Sequence, residues 1–350
     1  MVLGKTIYDK ITKFVKLSAI WVIRILFSPN NFKVPFLKRI YYAINGGFMA
    51  DQIVLYNLNY KNKKEYLSEF DWYKSRYINE PYNFILNNKL VAVDILKQYT
   101  DVPKTLCIKK KGVIYQSEEN INDVEAILSY IKKEDVYIKP INIGKGIGVN
   151  KISYDENKYF IDYKEISIEK LKEILEKRDN YFISTSINQS KALNKIYDKC
   201  SNTIRLITIR NDKTKKCEVL FAVQRIGTKE TIPVDNGSRG GLIAKIDIET
   251  GELSEAKSLH ILEEFDNHPD SNNPIKGVKI KNWNQIKEKY VSLMEKFPYL
   301  YFVAWDILLT DKGPVIIEAN TSSGVNIIQL FGGQRNKKLG DFYKNHKIIK

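Results

Sequence analysis

The chain has 350 residues, of which 43% are hydrophobic and 28% charged. That is the balance of a folded soluble protein with one large domain or two. Lys and Arg outnumber Asp and Glu by 56 to 41, a net charge of +15, which favours anionic partners such as nucleotides, anionic lipid, acidic glycans or nucleic acid. The three scattered cysteines and three histidines exclude a disulfide framework, a thiolate metal site and an HExxH helix, and they fit a reducing compartment.

Residues 5–27 have the period of a basic amphipathic helix. Ile7, Ile11, Phe14, Val15, Trp21, Val22 and Ile25 fall on one face, and Lys5, Lys10, Lys13, Lys16 and Arg24 on the other. The uncharged run Leu17–Ile23 is far short of the roughly 20 residues that a span needs. Two readings stay open: the helix lies on an anionic membrane surface, or it packs as an ordinary helix. Residues 36–80 hold short helical patterns rich in Tyr, Lys and Asn, with no nucleic-acid signature.

A helix starts at Asn88, with Asn87 or Asn88 as its cap and Lys89 in its first turn. A cation in the first turn meets the positive end of the helix dipole, so Lys89 is either solvated or aimed at an anion. Strands follow at 104–108 and 113–115, then a helix over 120–132. Val136–Pro140 is a strand ending in Lys139-Pro140. It leads into Ile141–Val149, where Gly144, Gly146 and Gly148 alternate beside Lys145. Bare backbone amides in such a loop wrap phosphates. Neither GxxxxGK[ST] nor GxGxxG is present, and a strand rather than a helix follows. The loop is a flap or a hairpin tip.

A helix over 167–178 and a strand over 181–187 come next. The strands 201–210 and 217–226 each carry an arginine, Arg205 and Arg225, in an apolar run. Inward arginines on a sheet are rarely unpaired, so both are candidate binders of phosphate or carboxylate. A Gly-rich loop, 233–241, leads to a strand at 242–248; 254–281 shows no clear period. A helix over 283–297 is followed by two apolar runs, 301–309 and 314–319, and the chain closes in a basic tail.

Those two runs read as a β-hairpin. A three-residue loop, Asp311–Gly313, pairs Thr310 with Pro314 and so sets Asp306 against Glu318. Like charges about 5 Å apart in an apolar sheet destabilise it unless something offsets them. Arg or Lys partners would do so; so would a divalent cation, with Asn320 adding an oxygen on the same face.

Together, Lys89, Lys139 with its Gly-rich flap, and Asp306, Glu318 and Asn320 resemble the ATP-grasp superfamily. SNTIRLITIR (201–210), VDNGSRGGLIAKIDIETGEL (234–253) and AWDILLTDKGPVIIEANTSSGVNIIQL (304–330) are similar to its sugar-transfer-associated branch. The resemblance covers about 81–332. It implies an α+β ATP-grasp fold, two lobes (about 101–186 and 187–335) with ATP between their sheets. A mainly helical basic region, 1–80, would precede it and a basic tail, 336–350, would follow. It further implies that Lys89 and Lys139 contact ATP phosphates and that Gly144, Lys145, Gly146 and Gly148 close over them. Asp306, Glu318 and Asn320 would hold Mg2+, and Arg205 and Arg225 would face the γ-phosphate or an acyl-phosphate. The strand joining the lobes lacks the acidic residue often found near adenine; Thr185 is the residue left to bond ribose or base. The implied activity is a cytoplasmic carboxylate–amine ligase acting on a carboxylate-bearing sugar or glycan with an amine. A sugar kinase or a non-enzymatic nucleotide-dependent scaffold at the inner membrane face are the alternatives.

Overall fold

The structure, a computed structural model, describes residues 2–116, 120–144 and 146–350, apart from the side chains of 2–7, 9 and 116. Lys145, expected in the flap, lies outside the described residues.

Six helices open the chain: α1 (Val2–Ile20), extended by a π-helical stretch (Trp21–Leu26), α2 (Phe36–Ile44), α3 (Ala50–Leu55), α4 (Glu69–Ser75), α5 (Phe84–Asn87) and α6 (Lys89–Leu96). Val34, Tyr42, Phe48 and Ile53 form a small core among them. Buried amides fasten this region to the rest of the chain. Gln329 bonds both backbone groups of Leu67, at 2.8 and 2.7 Å. Asn79 accepts from Tyr301 N and donates to Phe302 O and Thr321 O. Buried backbone groups outside regular ladders need such partners, and these two side chains supply them.

Seven antiparallel strands make the first sheet: β1 (Thr105–Lys110), β2 (Val113–Gln116), β3 (Val136–Pro140), β4 (Asn150–Asp155), β5 (Lys158–Ile161), β6 (Lys164–Ile166) and β7 (Tyr181–Thr185). Their order is β2-β1-β7-β3-β4-β5-β6. Helices α7 (Val124–Ile131) and α8 (Ile168–Lys177) cover one face, where Leu106, Ile138, Ile152, Ile183, Leu171 and Leu175 form a core. Strands β5 and β6 lie where the sequence shows no clear strand. They are short and partly exposed, and their turns place Glu156, Asn157, Asp162 and Tyr163 at positive φ rather than a glycine or proline.

After the short helix α9 (Lys191–Ile196), a second seven-stranded antiparallel sheet holds β8 (Ile204–Arg210), β9 (Cys217–Ile226), β10 (Leu242–Ile246), β11 (Leu253–Ser258), β12 (Glu264–Phe265), β13 (Phe302–Thr310) and β14 (Gly313–Asn320). The order is β12-β11-β10-β9-β8-β13-β14. Helix α10 (Trp283–Glu295) packs on one face through Trp283, Ile286 and Tyr290. The opposite face is divided. At one end Ile207, Ile209, Phe302 and Ala304 meet Leu67, α11 (Asn326–Gln329) and α12 (Lys338–Asn345). At the other end the same face turns polar, with Arg205, Arg225, Asp306 and Glu318.

Two stretches differ from expectation. The segment 254–281 was read without a period, yet it contributes the rest of β11 and all of β12; LSEAKS offers only two apolar residues to show one. The basic tail is largely helical: α12 buries Leu339, Phe342 and Tyr343 and keeps its lysines outside.

Candidate active site

Asp306 does face Glu318, but by a different route from the one expected. The hairpin turn is one residue tighter: Thr310 pairs with Gly313 and Leu309 with Pro314. A bulge between Asp306 and Ile307 then inserts Ile317 and restores the opposition of the two carboxylates. Asn320, two residues on, shares their face.

The two acids have different neighbours. Asp306 is 2% exposed and accepts from Arg205 Nε and Nη2, the latter at 2.8 Å. Arg225 Nη2 lies 3.3 Å from Oδ2, the oxygen that also accepts from Arg205 Nη2. Burial opposes its charge, but the two guanidiniums outweigh that and hold its carboxyl below the ordinary range. So arginine, not a cation from outside, already compensates Asp306. Glu318 has no hydrogen-bond or ion-pair partner among the described residues. Burial, then Asp306, pushes its carboxyl up. The Asn320 side chain likewise has no hydrogen bond among the described residues. A half-buried carboxylate of raised pKa and an uncommitted amide oxygen, both beside Asp306, are a donor set that fits a magnesium ion. No cluster of three His, Cys, Asp or Glu occurs among the described residues.

A network extends from Asp306. Arg225 donates to Thr203 Oγ1 at 2.6 Å and pairs with Asp235 at 3.1 Å. Asp235 accepts from the Thr203 amide and hydroxyl, both at 2.6 Å. Burial disfavours the Arg225 charge, yet Asp235, Asp306 and Glu318 raise its pKa overall. Arg205 Nη1 reaches Ser323 Oγ at 3.3 Å. Asp235, Thr203 and Ser323 were not singled out from sequence. The signal for Thr203 was its position two residues before Arg205, on the same strand face.

The two lysines approach Glu318 from different sides: α6, which carries Lys89, packs with the core of the second sheet, whereas Lys139 lies on β3 of the first. Asn88 caps α6, accepting from Leu90 N and Val91 N, so Lys89 leaves the first turn with its side chain directed across the cleft. Its Nζ donates to Pro140 O and Ile143 O in the Gly-rich loop, and its charge is felt by Glu318. Lys139 is half-buried on β3, 5.5 Å from the Tyr137 ring centroid and 6.0 Å from that of Phe182. Burial lowers its pKa to about 8, Lys89 adds to the fall and Glu318 opposes it. Tyr137 OH and Ser201 Oγ, 2.9 Å apart, bridge the lobes beside it.

The loop itself is seated on the second lobe. Gly146 has φ +66°, and a Cβ there would meet Val234 Cγ2 at 2.9 Å. Gly148 has φ +73°; Gly144 lies in open space.

Thr185 is not on the face that carries Lys139. It pairs with Val136, in line with Ile183 and Ile138, on the face covered by helices. Its hydroxyl accepts from Lys104 N at 3.1 Å. The Lys139 face presents Ser184 instead, opposite Tyr137. Ser184 is 2% exposed, and its hydroxyl has no hydrogen-bond partner among the described residues. Five residues of β7 with hydroxyls at 184 and 185 cannot be assigned to faces before the pairing is known.

The chain matches the family model described as "Sugar-transfer associated ATP-grasp" over residues 70–339. No curated protein matches it. Among solved structures it is similar to N5-carboxyaminoimidazole ribonucleotide synthetase from Thermotoga maritima: 13% identity, TM-score 0.38, covering 81% of this chain and 54% of that one. The ADP complex of the Staphylococcus aureus N5-carboxyaminoimidazole synthetase gives 10%, 0.39, 68% and 45%. The ATP complex of D-alanine–D-alanine ligase from Bacillus anthracis gives 11%, 0.38, 76% and 65%. The chain thus spans less than two thirds of the length of each of these. The family match covers most of the chain, including both sheets, both lysines and the carboxylate hairpin: the chain belongs to the sugar-transfer associated ATP-grasp family.

Proposed function

We propose that this protein is an ATP- and magnesium-dependent carboxylate–amine ligase that works through an acyl-phosphate and modifies a cell-surface polysaccharide or its precursor. The observation that carries this reading is the meeting of Lys89 and Lys139 with uncompensated Glu318, across a cleft floored by Asp306, Arg205 and Arg225. Four cations around one open carboxylate fit a polyphosphate and the metal that accompanies it.

Lys89 and Lys139 hold the phosphate chain of ATP, and the Gly-rich loop covers it. Arg205 and Arg225, fixed by Asp306, Asp235 and Ser323, offer their remaining N–H edge to the transferring phosphoryl group. Their orientation is set before substrate arrives, so no reorganisation is needed at the moment of reaction. A carboxylate oxygen of the acceptor attacks the γ-phosphorus; the bond from that phosphorus to the β-bridging oxygen breaks and ADP leaves. The amine nitrogen then attacks the acyl carbon, phosphate departs, and the amine's proton passes to phosphate or water. Magnesium held by Glu318 and Asn320, with Asp306 joining them by releasing an arginine hydrogen bond, would neutralise phosphate charge. No side-chain nucleophile is needed. The supply of ATP makes the cytoplasm the compartment of this reaction.

The test is ADP release from MgATP with a carboxylate-bearing saccharide and an amine, followed by mass spectrometry of the saccharide. The expected result is release that needs both co-substrates and a mass gain of amine less water. Release with saccharide alone, yielding a stable phosphorylated product, would make the protein a kinase.

A further inference from the structure

Half of the large exposed apolar side chains among the described residues, 11 of 22, lie between Tyr8 and Ile44. On α1 they include Ile11, Phe14 and Val15; on α2 they are Phe36, Leu37, Tyr41 and Ile44. Exposure runs from 41% for Tyr41 to 80% for Leu37. Phe27, at the end of the π-helical stretch, lies between the two helices in sequence and is also exposed. The buried side of α2, Tyr42 and Ala43, faces the small N-terminal core, so the apolar side that remains is unpartnered. Arg39 fixes the corner by donating to Ser28 O at 3.1 Å and Leu26 O at 3.4 Å. Asp51 fixes it from below, accepting from the Asn31 amide and side chain.

Charge identifies what covers this surface. Residues 1–50 contain eight Lys or Arg and a single acidic residue, Asp9. Lys10, Lys16, Arg24, Lys33 and Lys38 are exposed in the same segment. A second copy of the same face would bring two cationic surfaces together. Nucleic acid would leave the aliphatic side chains without cover. An anionic bilayer satisfies both kinds of group, with apolar side chains in the acyl boundary and cations at the headgroups. No helix among the described residues is long and apolar enough to cross a membrane.

We propose that α1, the π-helical stretch and α2 together form one docking surface for an anionic lipid bilayer. The surface is composite: α1 and α2 each carry four of the eleven exposed apolar side chains, and α2 contributes the most exposed of them. It shares no residue with the cleft, so substitutions in it leave the cleft side chains in place.

Flotation of the full chain with phosphatidylcholine vesicles, with and without phosphatidylglycerol, tests this at low and high salt. The expected result is flotation with phosphatidylglycerol only, weakened by salt. The double variant Phe36→Asp, Leu37→Asp should lose at least tenfold in bound fraction, as should Ile11→Asp, Phe14→Asp, with ATP affinity unchanged in both. Failure of the full chain to float at low salt would overturn the proposal. So would equal flotation of the α2 variant, which would leave α1 as the whole site. A concentration-dependent dimer abolished by the same substitutions, without lipid binding, would assign the surface to a second copy.

Discussion

Asp306 accepts two hydrogen bonds from one guanidinium, that of Arg205, and lies 3.3 Å from a second, that of Arg225. The carboxylate it faces, Glu318, has neither kind of contact among the described residues. Two like charges opposed in one hairpin therefore differ in what their removal does. Asp306→Asn leaves two arginines short of a counter-charge in a buried site and should cost about 3 kcal/mol. The folded pKa of Asp306 is depressed, so its stabilising effect is present above the unfolded value and is lost as pH falls. Glu318 has a raised folded pKa, so its charged form costs stability at neutral pH. Glu318→Gln should raise or preserve the melting temperature. Both variants should lose MgATP turnover. Thermal melts and ADP release decide: equal melting temperatures in the two variants would contradict the asymmetry.

If Lys139 holds nucleotide phosphate, nucleotide binding should depend on pH. Its pKa is lowered to about 8 by burial, and a bound phosphate raises it by favouring the charged form. Only the protonated lysine contributes its charge, so ATP affinity should hold below pH 8 and fall as pH rises through and beyond that value. Lys139→Ala should weaken binding by about 1.5–3 kcal/mol, the range for a hydrogen bond to a charged group, and should flatten this alkaline fall. Calorimetric titration from neutral to alkaline pH checks both.

The chemistry of the site was more legible than its wiring. Lys89, Lys139, Asp306 and Glu318 stand out because each is a charge at the edge of an apolar pattern. Each ends up near the others. What the sequence hides is pairing. The bulge at Ile317 compensates a turn that is one residue shorter than the loop signal implies, so Asp306 and Glu318 face each other in a register that the loop length alone does not give. The commitment of Asp306 to arginine depends on β13 lying beside the β8–β9 pair, with Arg205 and Asp306 101 residues apart in the chain. The helical tail and β11 were missed because their apolar residues are few and become buried only through contacts from elsewhere.

Ser184 and Thr185 separate two effects that adjacent hydroxyls would ordinarily confound. Ser184 Oγ is buried without a partner on the Lys139 face, so Ser184→Ala removes an unsatisfied group and should leave stability unchanged or higher. If that hydroxyl bonds the nucleotide, the same substitution weakens ATP by about 0.5–1.5 kcal/mol. Thr185→Val should do the reverse, losing about 1 kcal/mol of stability with the Lys104 bond and leaving ATP affinity intact. Melting curves and nucleotide titrations on the two variants check the assignment of faces; a weaker ATP complex in Thr185→Val alone would reverse it.

Gly146 couples the flap to the second lobe. Its φ of +66° lies where side chains with a Cβ are strained, and any Cβ would press on Val234 at 2.9 Å. Gly146→Val carries both penalties and a branched side chain, so it should prevent the loop from seating. Lys89 holds the same loop from its other end through Pro140 O and Ile143 O. On the proposed function, nucleotide phosphates would recruit Lys89, those carbonyls would lose their donor, and the loop would exchange one anchor for another. Hydrogen exchange over 140–150 should therefore change on adding magnesium and a non-hydrolysable ATP analogue. Lys89→Met should speed exchange at 141–144 before any nucleotide is added. Gly146→Val should speed it in both states, and its turnover should fall more than its ATP affinity, because a flap that cannot seat leaves water at the transferring group. Unchanged exchange in Lys89→Met, together with normal turnover in Gly146→Val, would reduce the loop to a hairpin tip with no part in the reaction.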